Sequence, residues 1–246
     1  MNSTEAAKRV EIQWSTYAEY YDQMCEANPS YADMIDLVMS KVAIHMGRIN
    51  PSILDVGAGT GNLLTTLTSV VPRAECIHLD INPSMNARAR KKYEESGANV
   101  SIVQESALEV DFPAHTFDFI LSTNAIYAIE PHAVLLAKLR KWIKTDGVLI
   151  LVDFGRPQKV NDWFWYMLRE NVRHRGLVPT FRLFSGNWEV AKQNRRTTAA
   201  QDQGNYWVHS TQEFAKALQQ SGFFVEEIGS CYRGYSDIAV CKKIPR

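Results

Sequence analysis

The residues most able to do chemistry lie in one short run, Ile53-Leu54-Asp55-Val56-Gly57-Ala58-Gly59-Thr60-Gly61-Asn62. An apolar stretch containing an acid passes into a turn with glycine at alternate positions, followed by the helix-like LLTTLTSVV. Glycines there let backbone approach a ligand with no Cβ in the way, where the first N–H groups of a helix point outward. Nineteen residues after Gly61 a second apolar run ends at Asp80, which sets a carboxylate beside the turn where it can accept both hydroxyls of a ribose. A dinucleotide fingerprint wants Gly or Ala where Asn62 stands, so the spacing favours a nucleoside ligand without a pyrophosphate.

Holding such a turn requires a sheet, and the sequence supplies one. SILDV, AECIHLD, NVSIVQ, FDFILST and GVLILVDF are short apolar runs separated by segments of helical period. Near-continuous apolar strands linked by helices predict an α/β, doubly wound, mostly parallel sheet covered on both faces. Asn82-Pro83 opens and Gly97 closes a helix over NPSMNARARKKYEE. Pro131 opens another over PHAVLLAKLRKWIK, with Val134, Leu135, Ala137, Leu139 and Trp142 as the expected core-facing stripe. Further on, TQEFAKALQQSG reads as a helix, and FFVEEIG and YSDIAVCKK as two last strands.

Four regions are expected: N-terminal helices over 1–50, a core over 51–154, an insertion over 155–210, and 211–246 returning to the sheet. The insertion holds 9 Lys and Arg against 4 Asp and Glu and four of the six Trp, so it differs in kind from the core. Trp163, Phe164, Trp165 and Tyr166 are consecutive and cannot all face one side of a helix, so some must meet solvent, a partner or a ligand.

Whole-chain composition excludes other classes. With 46% hydrophobic and 22% charged residues the 246-residue chain is neither fibrous nor disordered. Lys plus Arg equals Asp plus Glu at 27 each, so no net field holds it to nucleic acid or an anionic membrane, and any such attraction is local. MNSTEAAKRVEIQWSTY has no apolar leader and no later run approaches a membrane span, so a soluble cytoplasmic chain is expected. Cys25, Cys76, Cys231 and Cys241 are scattered without a C-x-x-C, as small buried hydrophobes would be. No metal-ligand constellation stands out.

ILDVGAGTGNLL, HLDINPSM, VQESALEVDF, FDFILSTNAIYAIE and LLAKLRKWIKTDGVLILVDF, in this order, resemble the successive motifs of the class I S-adenosylmethionine-dependent methyltransferases. The likeness is strong over 50–154, and greatest to the small-molecule group of quinone-biosynthesis and antibiotic-tailoring enzymes. It implies a Rossmann-like, seven-stranded sheet with an N-terminal helical lid and a helical insertion after the fifth strand. It also implies S-adenosylmethionine as cofactor and a small-molecule methyl acceptor; the charge balance and hydropathy predict no membrane partner and disfavour nucleic acid, and the consecutive aromatics leave a homodimer among the expected assemblies.

By the same resemblance Asp55 lies near the methionine ammonium, and Gly57, Ala58 and Gly59 give backbone contacts, with Gly61 completing the turn. Asp80 binds the ribose, Ile81 and Met85 pack on the adenine, and Asn124 lies near the sulfonium. Ser106 and Ala107 stand where relatives have an Asp and a small residue reading the adenine amino group. Ser106 accepts only a neutral hydrogen bond there, which weakens adenine binding modestly. Tyr17 or Tyr21 would cover the methyl group from the lid, and Tyr127 stands where many relatives carry His.

The expected reaction is metal-independent, in-line transfer to N or O, with C the less favoured acceptor. A hydroxyl acceptor would call on a base such as Tyr127, His174 or His209. Three other readings compete. An RNA or DNA methyltransferase would use the basic aromatic insertion, but STNAIY replaces the Asn/Asp-Pro-Pro-aromatic box of adenine-amino enzymes. A nicotinamide-dependent oxidoreductase is disfavoured by Asn62, and a cofactor-binding subunit serving a partner is suggested only by Ser106.

Overall fold

The computed structural model of the chain describes residues 14–184 and 188–244. Helices α1 (Trp14–Ala27) and α2 (Pro29–His45) precede β1 (Ser52–Val56), α3 (Asn62–Val70), β2 (Glu75–Leu79), α4 (Pro83–Ser96) and β3 (Val100–Val103). Then come β4 (Phe117–Thr123), a 3₁₀ turn (Ile126–Ala128), α5 (His132–Trp142) and β5 (Ile143–Phe154). Three helices follow before the sheet resumes: α6 (Val160–Arg175), α7 (Leu177–Phe184) and α8 (Trp188–Asp202). The described chain closes with α9 (Thr211–Gln220), β6 (Phe223–Cys231) and β7 (Ser236–Lys243).

The seven strands lie in the order β3-β2-β1-β4-β5-β7-β6. All pairs are parallel except those of β7, which runs antiparallel to both neighbours. The chain reverses direction across the sheet between β1 and β4, and the crevice outside the carboxyl ends of those strands is where such folds bind ligands.

Alternation along each strand feeds two cores, one per face. Ile53, Phe119, Leu121, Val148, Ile150 and Val152 pack toward α2, α3 and α4. Leu54, Ile120, Leu149 and Leu151 pack toward α5 and α9. Local signals agree with this arrangement. The Asn82 side chain caps α4 by accepting from the N–H groups of Ser84 and Met85, and Gly97 ends it with φ 68°. Ser210 and Glu213 form a reciprocal capping box on α9.

Two expectations are corrected. The buried stripe of α5 is Leu135, Leu136, Leu139 and Trp142, while Val134 and Ala137 are exposed. Turns of 100° per residue bring 135, 136, 139 and 142 to one side and carry 134 and 137 off it. The same helix stops at Trp142 rather than running on, because Ile143 enters β5 opposite Phe117.

Candidate active site

The floor of the site is the turn from β1 to α3. Gly57, Gly59 and Gly61 all have left-handed φ, at 68°, 58° and 81°. At Gly57 glycine is also required sterically, since a Cβ would overlap the Cβ of Ala125. The turn is tied to the end of β2: Gly57 N–H and Ala58 N–H donate to the Leu79 carbonyl at 2.8 and 3.2 Å. Asp80, the first residue beyond β2, accepts from Gly59 N–H at 2.9 Å and from Asn82 N–H at 2.8 Å. Each carboxylate oxygen thus has one fixed donor and keeps a lone pair for a ligand hydroxyl.

Beneath the turn Asp55 is buried, and neither of its oxygens has a hydrogen-bond partner among the described residues. Burial, then the nearby Asp80 charge, pushes its carboxyl up to about 8. A buried carboxylate without a partner is costly, and a ligand cation removes that cost. An adenosyl sulfonium with an amino-acid tail fits such a floor: an orphaned carboxylate for an ammonium, a fixed one for ribose hydroxyls.

Above the floor lies a cavity of about 300 Å³ walled by Gly57, Gly59, Asp80, Ile81, Met85, Ser106, Ala107 and Asn124, with Trp14 and Tyr21 of α1. Met85 is buried and Ile81 is 66% exposed, so of these two apolar lining side chains one stands inside the pocket and one at its rim. Ser106 Oγ accepts from Leu108 N–H at 3.2 Å. Glu105, which the sequence reading passed over, is in the same wall. Its carboxylate stands next to the neutral Ser106, and only its adjacency to Ser106 in the sequence could have flagged it.

A second, smaller cavity of about 60 Å³ shares Trp14, Tyr21 and Asn124 with the first. Tyr17, Tyr31, Tyr127, Phe154, Trp163 and Tyr232 line it with Met24, Met167, Asn28, Gln158, Asn194 and Thr197. No charged side chain is among these lining residues. Tyr17 Oη donates to Asn194 Oδ1 at 2.9 Å, joining α1 to α8. Asn124 has φ 52° and accepts from Ser236 Oγ at 2.9 Å, which fixes it at the junction of the two cavities. Helix α1 is fastened to the floor by Asp22, which accepts from Thr60 Oγ1 at 2.6 Å and pairs with Lys92 at 2.6 Å.

Of the three expected bases only Tyr127 lines either cavity, the second one. Burial drives the phenols of Tyr17, Tyr21 and Tyr127 well above their ordinary range, so near neutrality they keep their protons and do not serve as bases. His174 is on the outer face of α6, 66% exposed and 3.6 Å from Glu170, and lines neither cavity. His209 is fully buried, stacked on Phe214 at 4.6 Å between centroids, with Nε2 3.5 Å from Asp153 Oδ2. It reaches the second cavity only indirectly, since Asp153 Oδ1 accepts from the Tyr127 N–H at 3.1 Å. The candidate base His209 is thus shut away beside the end of β5 rather than set in either cavity.

Three comparisons bear on identity. Residues 53–147 match a family model described as a methyltransferase domain. The chain is similar to the ubiquinone/menaquinone biosynthesis C-methyltransferase UbiE of Teredinibacter turnerae, 28% identical over 64% of this chain and 64% of that protein. It is similar to the demethylmenaquinone methyltransferase of Thermus thermophilus, 32% identical over 44% of this chain and 49% of that protein. The matched stretch thus spans less than two thirds of each of these relatives. Its fold is that of a solved SAM dependent methyltransferase from Aquifex aeolicus, TM-score 0.61 and 17% identity, covering 94% of this chain and 98% of that one. With the orphaned carboxylate and the glycine turn in place, residues 53–147 match a methyltransferase domain, and the chain is similar to class I S-adenosylmethionine-dependent methyltransferases.

Proposed function

We propose that the chain methylates a small, uncharged, aromatic or conjugated acceptor held in the tyrosine-lined chamber, at an oxygen or nitrogen and without a metal ion. The observation that carries this reading is the chamber wall: five tyrosines, two tryptophans and neutral amides, no charged group, and a border shared with the larger cavity. A charged acceptor would be desolvated there without a partner.

In this reading Asp55 holds the methionine ammonium, and the backbone of Gly57, Ala58 and Gly59 lies along the ligand, with Gly61 starting α3. Asp80 takes the ribose hydroxyls, Ile81 and Met85 pack on the adenine, and Ser106, Ala107 and Glu105 meet its amino edge. Bound there, S-adenosylmethionine supplies a methyl group on an already activated sulfonium. The protein's part is to orient the acceptor and exclude water, which can be worth about 7–11 kcal/mol. Asn124 sits at the junction where acceptor and donor meet, and Tyr17 and Tyr21 close the roof. Since the buried phenols hold their protons, the acceptor brings its own nucleophile: a neutral amine, which sheds its proton to solvent after transfer, or a hydroxyl that ionises only against the positive sulfonium, which is its counter-charge until the methyl moves.

The test is incubation with labelled cofactor and a panel of neutral phenols, hydroxyquinones and aromatic amines beside carboxylated and cationic analogues, with and without EDTA. Transfer to neutral members, unaffected by EDTA, is expected. Transfer confined to charged acceptors or to RNA overturns the reading. A second reading, methylation at carbon, is favoured by the relatives named as quinone C-methyltransferases. Locating the labelled methyl in the product by NMR decides between them.

A further inference from the structure

Helix α6 divides its four consecutive aromatics between two faces. Trp163 is buried and, with Met167, walls the chamber. Phe164 and Trp165 point outward, 44% and 65% exposed. The outward pair continues into α7, because Phe164 meets Trp165 at 5.4 Å and Phe184 at 5.9 Å between ring centroids. Helix α7 then exposes Leu177, Val178 and Phe181 by 74%, 64% and 76%. Spacings of one and four residues put those three on one side of the helix, so the two helices present one apolar surface. A contiguous patch of this kind marks a place that something covers.

Cations stand around it. Arg169 and Arg173 follow Trp165 at successive turns of α6, and Arg182 lies on α7 beside Phe181; all three are exposed. Arg169 remains 75% exposed even while pairing with Glu170. The surrounding region 155–210 carries 9 basic against 4 acidic residues, although the whole chain is neutral.

We propose that the α6–α7 face docks on an anionic lipid surface, its aromatic and aliphatic side chains entering the headgroup boundary while the arginines meet lipid phosphates. Aromatic and leucine side chains beside arginines are the chemistry of helices that lie in that boundary. A second copy fits less well, since a two-fold interface lays the same patch against itself and brings arginine toward arginine. The identity of the surface as lipid rests on the acceptor reading. The helix that would touch the membrane also walls the chamber, so an uncharged acceptor dissolved in the bilayer would meet the protein at its own binding site.

The test uses the full chain with vesicles of phosphatidylcholine alone or mixed with phosphatidylglycerol, read by co-sedimentation. Binding to the mixed vesicles about tenfold tighter than to neutral ones, and weakened by added salt, is expected. Phe181→Asp should lower that binding by about tenfold or more. Arg173→Glu should remove most of the preference for phosphatidylglycerol, and both variants should melt as the parent does. Three results would each overturn the proposal: no binding to anionic vesicles, equal binding by Phe181→Asp, or a two-copy sedimentation mass that Phe181→Asp reduces to one. Vesicle binding needs no methyl transfer, so its failure leaves the acceptor reading standing. Conversely, binding without transfer to any neutral acceptor sinks the acceptor reading alone.

Discussion

The floor and the roof of the site are held by different kinds of bond. On the floor, main-chain groups do the work: β1 and β2 pair in register from Ser52↔Glu75 to Val56↔Leu79, and the turn's N–H groups end on Leu79 and Asp80. In the roof, side chains do it: Tyr17 to Asn194, Ser30 to Tyr166, and Asn171 to the Ala27 carbonyl. A floor made of backbone admits few substitutions and suits a constant ligand. A roof made of side chains can be re-cut residue by residue.

The sharpest way to break this contrast is Gly57→Val. The left-handed φ and the overlap with Ala125 add backbone strain to overpacking, together about 3 kcal/mol or more. Cofactor affinity measured by calorimetry should fall by more than about a hundredfold. Unchanged affinity would mean the floor is not set by its backbone. Asp80→Ala comes next, with a loss of roughly ten- to a hundredfold and a lower melting temperature, because two backbone N–H groups lose a charged acceptor along with the ligand.

Asp55 sharpens the contrast through pH. Its folded carboxyl is raised to about 8 from an ordinary 3.8, so the fold keeps a proton that the unfolded chain gives up. Stability without cofactor should therefore fall as pH climbs from about 4 to 8. Asp55→Asn should flatten that slope in thermal melts while weakening cofactor binding by about tenfold. Calorimetry near pH 7 in buffers of different ionisation heat should show proton release on binding by the parent and none by the variant.

Roof changes should be milder. Tyr17→Phe removes the tie to Asn194 and should raise the acceptor KM by about fivefold while leaving cofactor affinity alone. A cofactor defect would show that roof and floor are not separable at α1. The smallest effect is expected from Ser106→Asp, about threefold tighter cofactor binding from a charge-assisted bond to the adenine amino group.

The floor was legible in the sequence because its determinants are local. Strand runs end where the carboxylates must stand, Asn82 and Gly97 punctuate α4 as capping residues should, and glycines occupy positions whose φ is left-handed. The roof was not legible, because it is assembled from distant residues. Asn194 meets Tyr17 across 177 positions, and Asn28 meets Tyr232 across 204. No periodicity reveals that these polar side chains turn inward. His209 failed for the same reason, since Asp153 and Phe214, which decide its burial, come from elements on either side of it. The division of Trp163 from Phe164 and Trp165 was implied by their being consecutive.

The Asp22–Lys92–Thr60 fastener joins the two regions and is only partly shielded, with Asp22 31% and Lys92 23% exposed. Counter-ions can therefore compete for it as they cannot for the turn below. Rising ionic strength loosens the latch before it disturbs the bed on which the nucleoside lies. If α1 covers the cofactor as proposed, exchange of spent for fresh cofactor should quicken as ionic strength rises, while the turn that holds the nucleoside stays in place.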